Sequence, residues 1–469
     1  MDSRGASDQQ DRLRILFLTE YWPPQVHGIS IHCQNLAKEL RRQGHEVQVF
    51  TTTGEESAEL HLLPSVPNPW NEGNRIAVLP SFRLLSCLLT QDWDIVHLFF
   101  PTPLGWPTLA LTTLRGIPTY CSHHVDMLVY MWRYSGHIPP LTVLGILMYW
   151  LCAMLPATAC GDANGAPSAS FLRRHLREAG LLRLLQATRP ESLMVVPTSV
   201  DSSIFRRVGE AEVAQDRASL LQRLGIRSLE MAATPSRVRA NGPGASRSEP
   251  CLWLSVCRLA PEKDVSDMFE ALARADSARP GFHRLVLVGG GPLRESLEQE
   301  VRQRELPVSF LGQLENSQLP PIYRACDVFV ACSTSETFGI TILEALSCGL
   351  PVVLPQCEVF QELFLTPDFS KVHAYEKGGT EDLVQAIGRA LQQGRRAAPE
   401  QDAASSVAGA SLPHLGRENR PGQLSEAGYL YHSWREATKA QVRQYRSLSS
   451  SRRQRSGALA ALGRWLCCR

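Results

Sequence analysis

Ser333-Thr-Ser-Glu-Thr-Phe-Gly-Ile-Thr-Ile-Leu-Glu344, running on to Gly349-Leu-Pro-Val-Val353, places two acids eight positions apart. Glu336 lies in a Ser/Thr-rich turn after the apolar run Asp327–Cys332. Glu344 lies inside a helix whose buried side is predicted to be Ile342, Leu343, Leu346 and Leu350. An acid at a helix entrance and another about a turn and a half further in can both face the mouth above a parallel sheet, where open α/β sheets bind ligands. By spacing alone, the pair reads equally well as a helix N-terminal acid and a solvated acid.

Working outward, the pattern is strand and helix in alternation. Arg14–Leu18 and Val47–Thr51 read as strands around a helix that ends at Arg42 and is closed by Gly44. Ile76–Leu79, Ile95–Leu98 and Pro118–Ser122 read as further strands. A second series comprises Cys251–Val256, Arg284–Val288, Val308–Leu311, Val328–Ala331 and Pro351–Leu354. Such alternation predicts an α/β chain with parallel sheets and right-handed crossovers. The expected domains are 13–200, a Rossmann-like half, and 251–395, a second such half, facing each other across a central cleft. Residues 206–250 and 397–423, rich in Arg, Ala, Ser and Gly, read as a partly disordered linker and a disordered loop. A closing helix is expected over 425–447, followed by a basic amphipathic tail over 448–469 that reads either as an interfacial helix with Cys467 and Cys468 open to lipidation or as a frayed terminus.

Bulk properties narrow the function class. With 469 residues, 44% hydrophobic and 20% charged, the chain can fill two or three cores. A net charge of +2 gives no reason to propose nucleic-acid binding. The 13 cysteines form no Cys-x-x-Cys or Cys/His cluster, so neither a metal site nor a disulfide scaffold is expected. The start, Met1–Arg12, is short and polar and does not read as a cleaved leader. Leu141–Pro156 is nearly all apolar and close to spanning length. A span there would split the first sheet, so a buried or membrane-dipping helix is expected.

Four further groups carry chemistry. Arg258 and Lys263 follow the first strand of the second series, where a guanidinium fork and an ammonium can grip a diphosphate. Standing alone they are equally two surface cations. Gly289-Gly290-Gly291-Pro292 allows close backbone approach, or simply makes a strand-to-helix turn. The N–H groups over Ser335–Ile340 form a helix entrance that suits phosphate oxygens, and carboxylates suit the vicinal hydroxyls of a sugar. In the first half, Gly28 sits in a strand-to-helix loop and His124 sits just past a strand in Ser122-His-His-Val-Asp126. Each reads as structural or as part of a site. Asp201, near the expected hinge, reads as a cap or a hinge hydrogen-bonding residue.

The order Gly28, Gly44-His-Glu-Val47, Val196-Pro…Val200-Asp201…Phe205, Arg258…Glu262-Lys263, Gly289-Gly-Gly-Pro292, Ser335-Glu336…Phe338-Gly339…Glu344-Ala345 and Gly349-Leu-Pro-Val-Val353 resembles the family 4 retaining glycosyltransferases of GT-B fold. The likeness spans about Leu13–Leu363, and Ser433-Trp434…Tyr445 resembles the family's closing helix. Within the family, Ser122-His-His-Val-Asp126…Tyr130…Tyr134 is most similar to the UDP-sulfoquinovose:diacylglycerol sulfoquinovosyltransferases. His124 takes the place of the family histidine, and Asp126 replaces a second one.

The resemblance implies a UDP-sugar in the second half and an acceptor, a lipid such as diacylglycerol, in the first. Glu344 would hold the ribose; Glu336 with Phe338, Gly339 and Ile340 would hold the sugar and phosphate. Arg258 and Lys263 would stabilise the leaving diphosphate, Gly28 and Gly290 would let it approach the backbone, and His124 would touch the sugar. The resemblance implies no cofactor and no metal, and a peripheral contact with the cytosolic side of a membrane, in plastids for a sulfolipid synthase. Two rivals remain: a family 4 glucosyl, galactosyl or mannosyl transferase with another lipid or soluble acceptor, and a non-catalytic GT-B binding protein. Ser199 and Asp264 stand where the family usually has Gly, and Gln356–Glu362 replaces its Gly-Gly loop.

Overall fold

The computed structural model describes residues 12–25, 28–68, 75–99, 104–126, 139–151, 161–178, 180–188, 192–196, 198–226, 249–367, 369–394, 430–431 and 433–467, with isolated positions between. The chain divides into two units, Met1–Ser199 with His414–Arg469, and Val200–Pro413.

In the first unit, β1 (Arg14–Thr19) leads into α1 (Gly28–Arg42), then β2 (Glu46–Thr51), β3 (Leu60–Leu62) and an antiparallel pair, β4 (Ser65–Pro67) and β5 (Arg75–Ala77). Helix α2 (Phe82–Thr90), β6 (Ile95–Phe99), α3 (Gly105–Arg115), β7 (Thr119–Ser122), α4 (Pro139–Tyr149), β8 (Ala163–Ala166), α5 (Ala169–Glu178), α6 (Leu182–Thr188), β9 (Leu193–Val195) and β10 (Thr198–Ser199) follow. Among the described residues, seven of these strands form one parallel sheet in the order β3-β2-β1-β6-β7-β8-β9. Strands buried on both faces need unbroken apolar runs, and Ile15–Leu18 and Ile95–Phe99 are buried throughout.

The second unit opens on α7 (Glu210–Arg223) and continues through β11 (Cys251–Val256), α8 (Val265–Ala278), β12 (His283–Val288), α9 (Arg294–Gln303), β13 (Val308–Gly312), α10 (Leu319–Ala325), β14 (Val328–Val330), α11 (Ile340–Ser347), β15 (Val352–Pro355), α12 (Glu358–Leu363), β16 (Val372–Tyr375) and α13 (Thr380–Gly394). Six parallel strands run β13-β12-β11-β14-β15-β16. Its core centres on Trp253, Phe269, Leu272, Leu285 and Val353, all fully buried. The chain then returns to the first unit through β17 (Leu430–Tyr431), which pairs with β10 in parallel, and α14 (Trp434–Cys467). The α/β reading with two Rossmann-like sheets stands.

Three expectations need correction. Residues 210–223 of the supposed linker are a helix. Arg217 of α7 bonds Asp327 at 2.8 Å and the carbonyls of Ala325 and Pro250, and Arg324 of α10 bonds Asp216 at 2.7 Å. These half-buried, multiply bonded arginines hold α7 on the unit although its composition is polar. The rest of that linker, 227–248, and the loop 397–423 lie outside the described residues. The expected closing helix and tail are one helix, α14, which starts at Trp434 rather than 425. Finally, the apolar segment at Leu141 is not buried: Val143 is 63% exposed and Leu141 57%, with Leu144, Leu147 and Met148 also on the surface. No helix among the described residues is long and apolar enough to cross a membrane.

Candidate functional site

In each sheet the strand order reverses once, between β1 and β6 in the first unit and between β11 and β14 in the second. Loops leaving the carboxyl ends of the two reversing strands run in opposite directions and open a crevice, the usual ligand position of such sheets. Arg258 and Lys263 leave β11, and Glu336 lies beyond β14. The sequence candidates of the second unit therefore converge on its switch point, from loops more than seventy residues apart.

The two loops are tied together. Ser333 Oγ donates to the Glu262 carbonyl at 2.7 Å, and Lys263 donates to Glu336 in an ion pair. Burial alone would depress the Lys263 pKa, but the Glu336 carboxylate beside it raises it above the usual lysine value. Lys263 is thus cationic at any physiological pH. Asp264, next in the chain, has φ +47, a left-handed backbone, and accepts from Lys377 Nζ at 3.0 Å. The turn demands that conformation, which explains the family's Gly, and Asp is among the few side chains that tolerate it.

Glu344 has a different setting. It is buried on α11, and Tyr323 of α10 donates to its Oε2 at 2.8 Å. Burial pushes the Glu344 pKa up to about 8, against the lowering effect of the Tyr323 bond. The two acids of the opening motif are therefore bound to two different partners: Glu336 to an ammonium, Glu344 to a phenol. Tyr323 was not found from the sequence, because its partner lies 21 positions away with no spacing signal.

Gly339 precedes α11 with φ +95, and a Cβ there would come within 2.7 Å of Ile342. Phe338 beside it is buried and Ile340 opens the helix. In the glycine triplet the constrained residues are Gly289 and Gly291, not Gly290; a Cβ on Gly291 would sit 2.3 Å from the Leu259 carbonyl. Gly289 has φ +137, and its Cβ would sit 1.9 Å from the Cys257 carbonyl, whereas a Cβ on Gly290 meets only Gln313 at 3.6 Å. Gly290 is the one with room in front of it.

In the first unit Gly28 begins α1 and is exposed. His124 follows β7 and is buried; its Nε2 shares the Ser122 hydroxyl, at 3.0 Å, with His97 Nε2 at 2.8 Å. His32 of α1 packs against His124 at 5.0 Å between ring centroids. Burial lowers all three imidazoles, His32 to about 3 and His97 and His124 well below the usual range, so all are neutral. Asp126 is buried in an ion pair with Arg174 at 2.7 Å, a structural role. Asp201 accepts from the N–H and hydroxyl of Ser203 and so closes a turn; it caps no helix, since α7 begins at Glu210. Among the described residues no group of three or more His, Cys, Asp or Glu is placed to hold a metal ion.

Residues 26–203 match Glycosyltransferase Family 4, and residues 241–405 match Glycosyl transferases group 1. The chain belongs to the family 4 glycosyltransferases of GT-B fold. This glycosyltransferase is 25% identical to the Alpha-monoglucosyldiacylglycerol synthase of Streptococcus pneumoniae, over 81% of the chain and 78% of that protein. It is 28% identical to Sulfoquinovosyl transferase SQD2 of Arabidopsis thaliana, over 77% of the chain and 63% of that protein. A GDP-mannose-dependent alpha-mannosyltransferase of Mycobacterium tuberculosis is 28% identical over 73% of the chain and 79% of its own length. Among solved structures, HepE of Anabaena, in complex with UDP and glucose, has the same fold, with a TM-score of 0.55 and 16% identity over 96% of this chain and all of that one.

Proposed function

We propose that this glycosyltransferase moves a hexosyl group from a UDP-sugar to a diacylglycerol-type lipid with retention of configuration, the best single pairing being UDP-sulfoquinovose with diacylglycerol. The observation that carries the lipid reading is α4, a helix without a charged residue whose apolar side chains stand in solvent. Leaving so many large apolar groups in water is unfavourable, and a lipid surface relieves it. Trp106 of α3 donates to the Leu151 carbonyl just beyond α4 at 2.8 Å, which fastens the helix to the sheet unit. Relatives named for diacylglycerol and sulfoquinovosyl products support the same direction. The protein would then sit peripherally on the cytosolic face of a membrane.

In this reading Glu344 holds the ribose, and Glu336 with the Phe338–Ile340 backbone holds the sugar and phosphate. Gly290 admits the phosphate to the backbone of the second unit. Arg258 and Lys263 stabilise charge on the departing diphosphate, the chief electrostatic demand of the step. The acceptor hydroxyl attacks on the face from which the diphosphate leaves, and a donor phosphate oxygen takes its proton. His124 contacts the transferred sugar. The reading needs no metal, because these two side chains supply the cationic charge.

The test is turnover with UDP-sulfoquinovose, UDP-glucose, UDP-galactose and GDP-mannose against diacylglycerol in mixed micelles, following nucleotide release and the anomeric configuration of labelled lipid. An α-linked lipid product from a UDP-sugar is expected. No lipid product from any donor would overturn the lipid acceptor. Transfer from GDP-mannose alone would favour the second reading, a mannosyltransferase, which the mycobacterial relative supports. Donor hydrolysis and transfer both absent, with nucleotide still bound, would leave a binding protein.

A further inference from the structure

The first unit contains a hydrogen-bond chain that none of the roles above explains. Tyr445 of α14 reaches His97 Nδ1 at 2.6 Å; His97 Nε2 reaches Ser122 Oγ at 2.8 Å; Ser122 Oγ reaches His124 Nε2 at 3.0 Å. Tyr445, His97 and Ser122 are fully buried and His124 nearly so. The His97 ring is clamped, stacked on Phe99 at 3.6 Å and edge-on to Tyr120 at 4.7 Å, so it cannot turn to other partners. The chain joins β6, β7 and the C-terminal helix, over a separation of 348 positions.

We infer that Tyr445, His97 and Ser122 are positioning residues that fix which ring nitrogen of His124 carries the proton. A serine hydroxyl has one hydrogen, and two imidazole nitrogens face this one. If Tyr445 donates to His97 Nδ1, the His97 proton lies on Nε2 and goes to Ser122 Oγ. The Ser122 hydrogen then goes to His124 Nε2, and the His124 proton stays on Nδ1. Every hydrogen from the Tyr445 hydroxyl to the Ser122 hydroxyl then has an acceptor. Reversed, His124 Nε2–H donates to Ser122, Ser122 to His97 Nε2, and His97 Nδ1–H to the phenol oxygen. The Tyr445 hydrogen is then left in a buried position with no acceptor among the described residues, which is unfavourable. The first polarity wins. Both rings are neutral, because burial holds their pKa values far below the ordinary histidine value, so the tautomer and not the charge is the variable.

The consequence rests on the reading under Proposed function: His124, protonated on Nδ1 and engaged at Nε2, is a hydrogen-bond donor to the transferred sugar and not a general base. The C-terminal helix therefore sets the chemistry of a side chain at the far end of the chain, as outer partners of a reacting histidine do elsewhere.

The experiment uses full-length protein labelled with 15N-histidine, with the ring signals of His124 assigned by their loss in His124→Asn. Long-range 1H–15N correlation is expected to show His124 protonated on Nδ1 in the wild type, and a mixture of tautomers in Tyr445→Phe. In the transfer assay, Tyr445→Phe and Ser122→Ala should lower kcat about tenfold with the donor KM changed less than about twofold, and Ser122→Thr, which restores a hydroxyl, should recover most of it. A wild-type His124 protonated on Nε2 overturns the relay, and so does a tautomer indifferent to Tyr445→Phe. Should Tyr445→Phe not fold, the wild-type tautomer decides alone. The expected tautomers without lipid transfer would uphold the relay and overturn the lipid acceptor, so the two readings fail separately.

Discussion

In the second unit the polar groups at the switch point are ionic and paired between loops; in the first, the groups gathered on Ser122 and His124 at the end of β7 are neutral imidazoles and hydroxyls buried against one another, with the Asp126–Arg174 ion pair a few residues on. Lys263 keeps its charge because Glu336 offsets the loss of water. Burial empties His32, His97 and His124 of charge. Under the proposed function, the difference matches two chemical tasks. A departing diphosphate needs fixed positive charge, whereas an acceptor or sugar hydroxyl needs hydrogen bonds of set direction and no competing ion.

Four measurements break or sharpen this contrast. Lys263→Ala should have the largest effect, lowering kcat/KM about 1,000-fold, or about 4 kcal/mol, since it removes the cation and leaves Glu336 unpaired. A loss under tenfold would mean that charge at this point is structural. Next, Gly289→Ala should destabilise the second unit by about 3 kcal/mol, seen in urea unfolding, because its Cβ would strike the Cys257 carbonyl in a left-handed turn. Gly290→Ala should remain within about 0.5 kcal/mol of wild type and lose nucleotide affinity instead. Equal stability of the two variants would refute the assignment of roles within the triplet. Third, His124→Ala should lower kcat about 100-fold while leaving UDP affinity, read by calorimetry, unchanged. A change in UDP affinity would mean that the neutral cluster of the first unit shares the ionic task of the second.

The smallest effect concerns Glu344. Its folded pKa, about 8, lies above the ordinary 4.5. Such a group adds stability that is whole below about pH 4.5 and is lost as the pH rises through 8. Glu344→Gln stays neutral, so its melting temperature should match the wild type near pH 4 and exceed it by about 3 °C at pH 9. Its UDP affinity at pH 9, where the wild-type acid is charged, should fall about tenfold through loss of a charge-assisted bond. Equal UDP affinity in the variant would remove Glu344 from the ribose.

Much of the fold could be read in advance, because strands buried on both faces must be written as apolar runs, and Arg14–Leu18 and Cys251–Val256 have no other use. The linker at 206–250 was misread for a physical reason. Helix α7 buries only Leu220 and Leu221, and is held by arginine bonds to residues a hundred positions away. Composition could not reveal those bonds. The candidates Arg258, Lys263, Glu336 and Glu344 could be picked out from the sequence, since the first three lie in short motifs after strands and Glu344 in the helix that follows. Tyr323, His97 and Tyr445 were not, because each acts on a partner that only the folded chain brings near. The Leu141 segment was legible as apolar but not as exposed, since sequence records a side chain's preference and not the surface left to cover it.

The two-residue ladder between β10 and β17 has a topological consequence. Thr198 is paired with Leu430 and Ser199 with Tyr431, so the chain leaves the first unit and re-enters it along adjacent strands, about 5 Å apart. More than two hundred residues are thus inserted at a single point of a domain whose own ends are already in register. Because the two strands are parallel, a crossover of about a dozen residues returning to the start of β17 would make the host domain continuous, and the guest could be exchanged as a cassette.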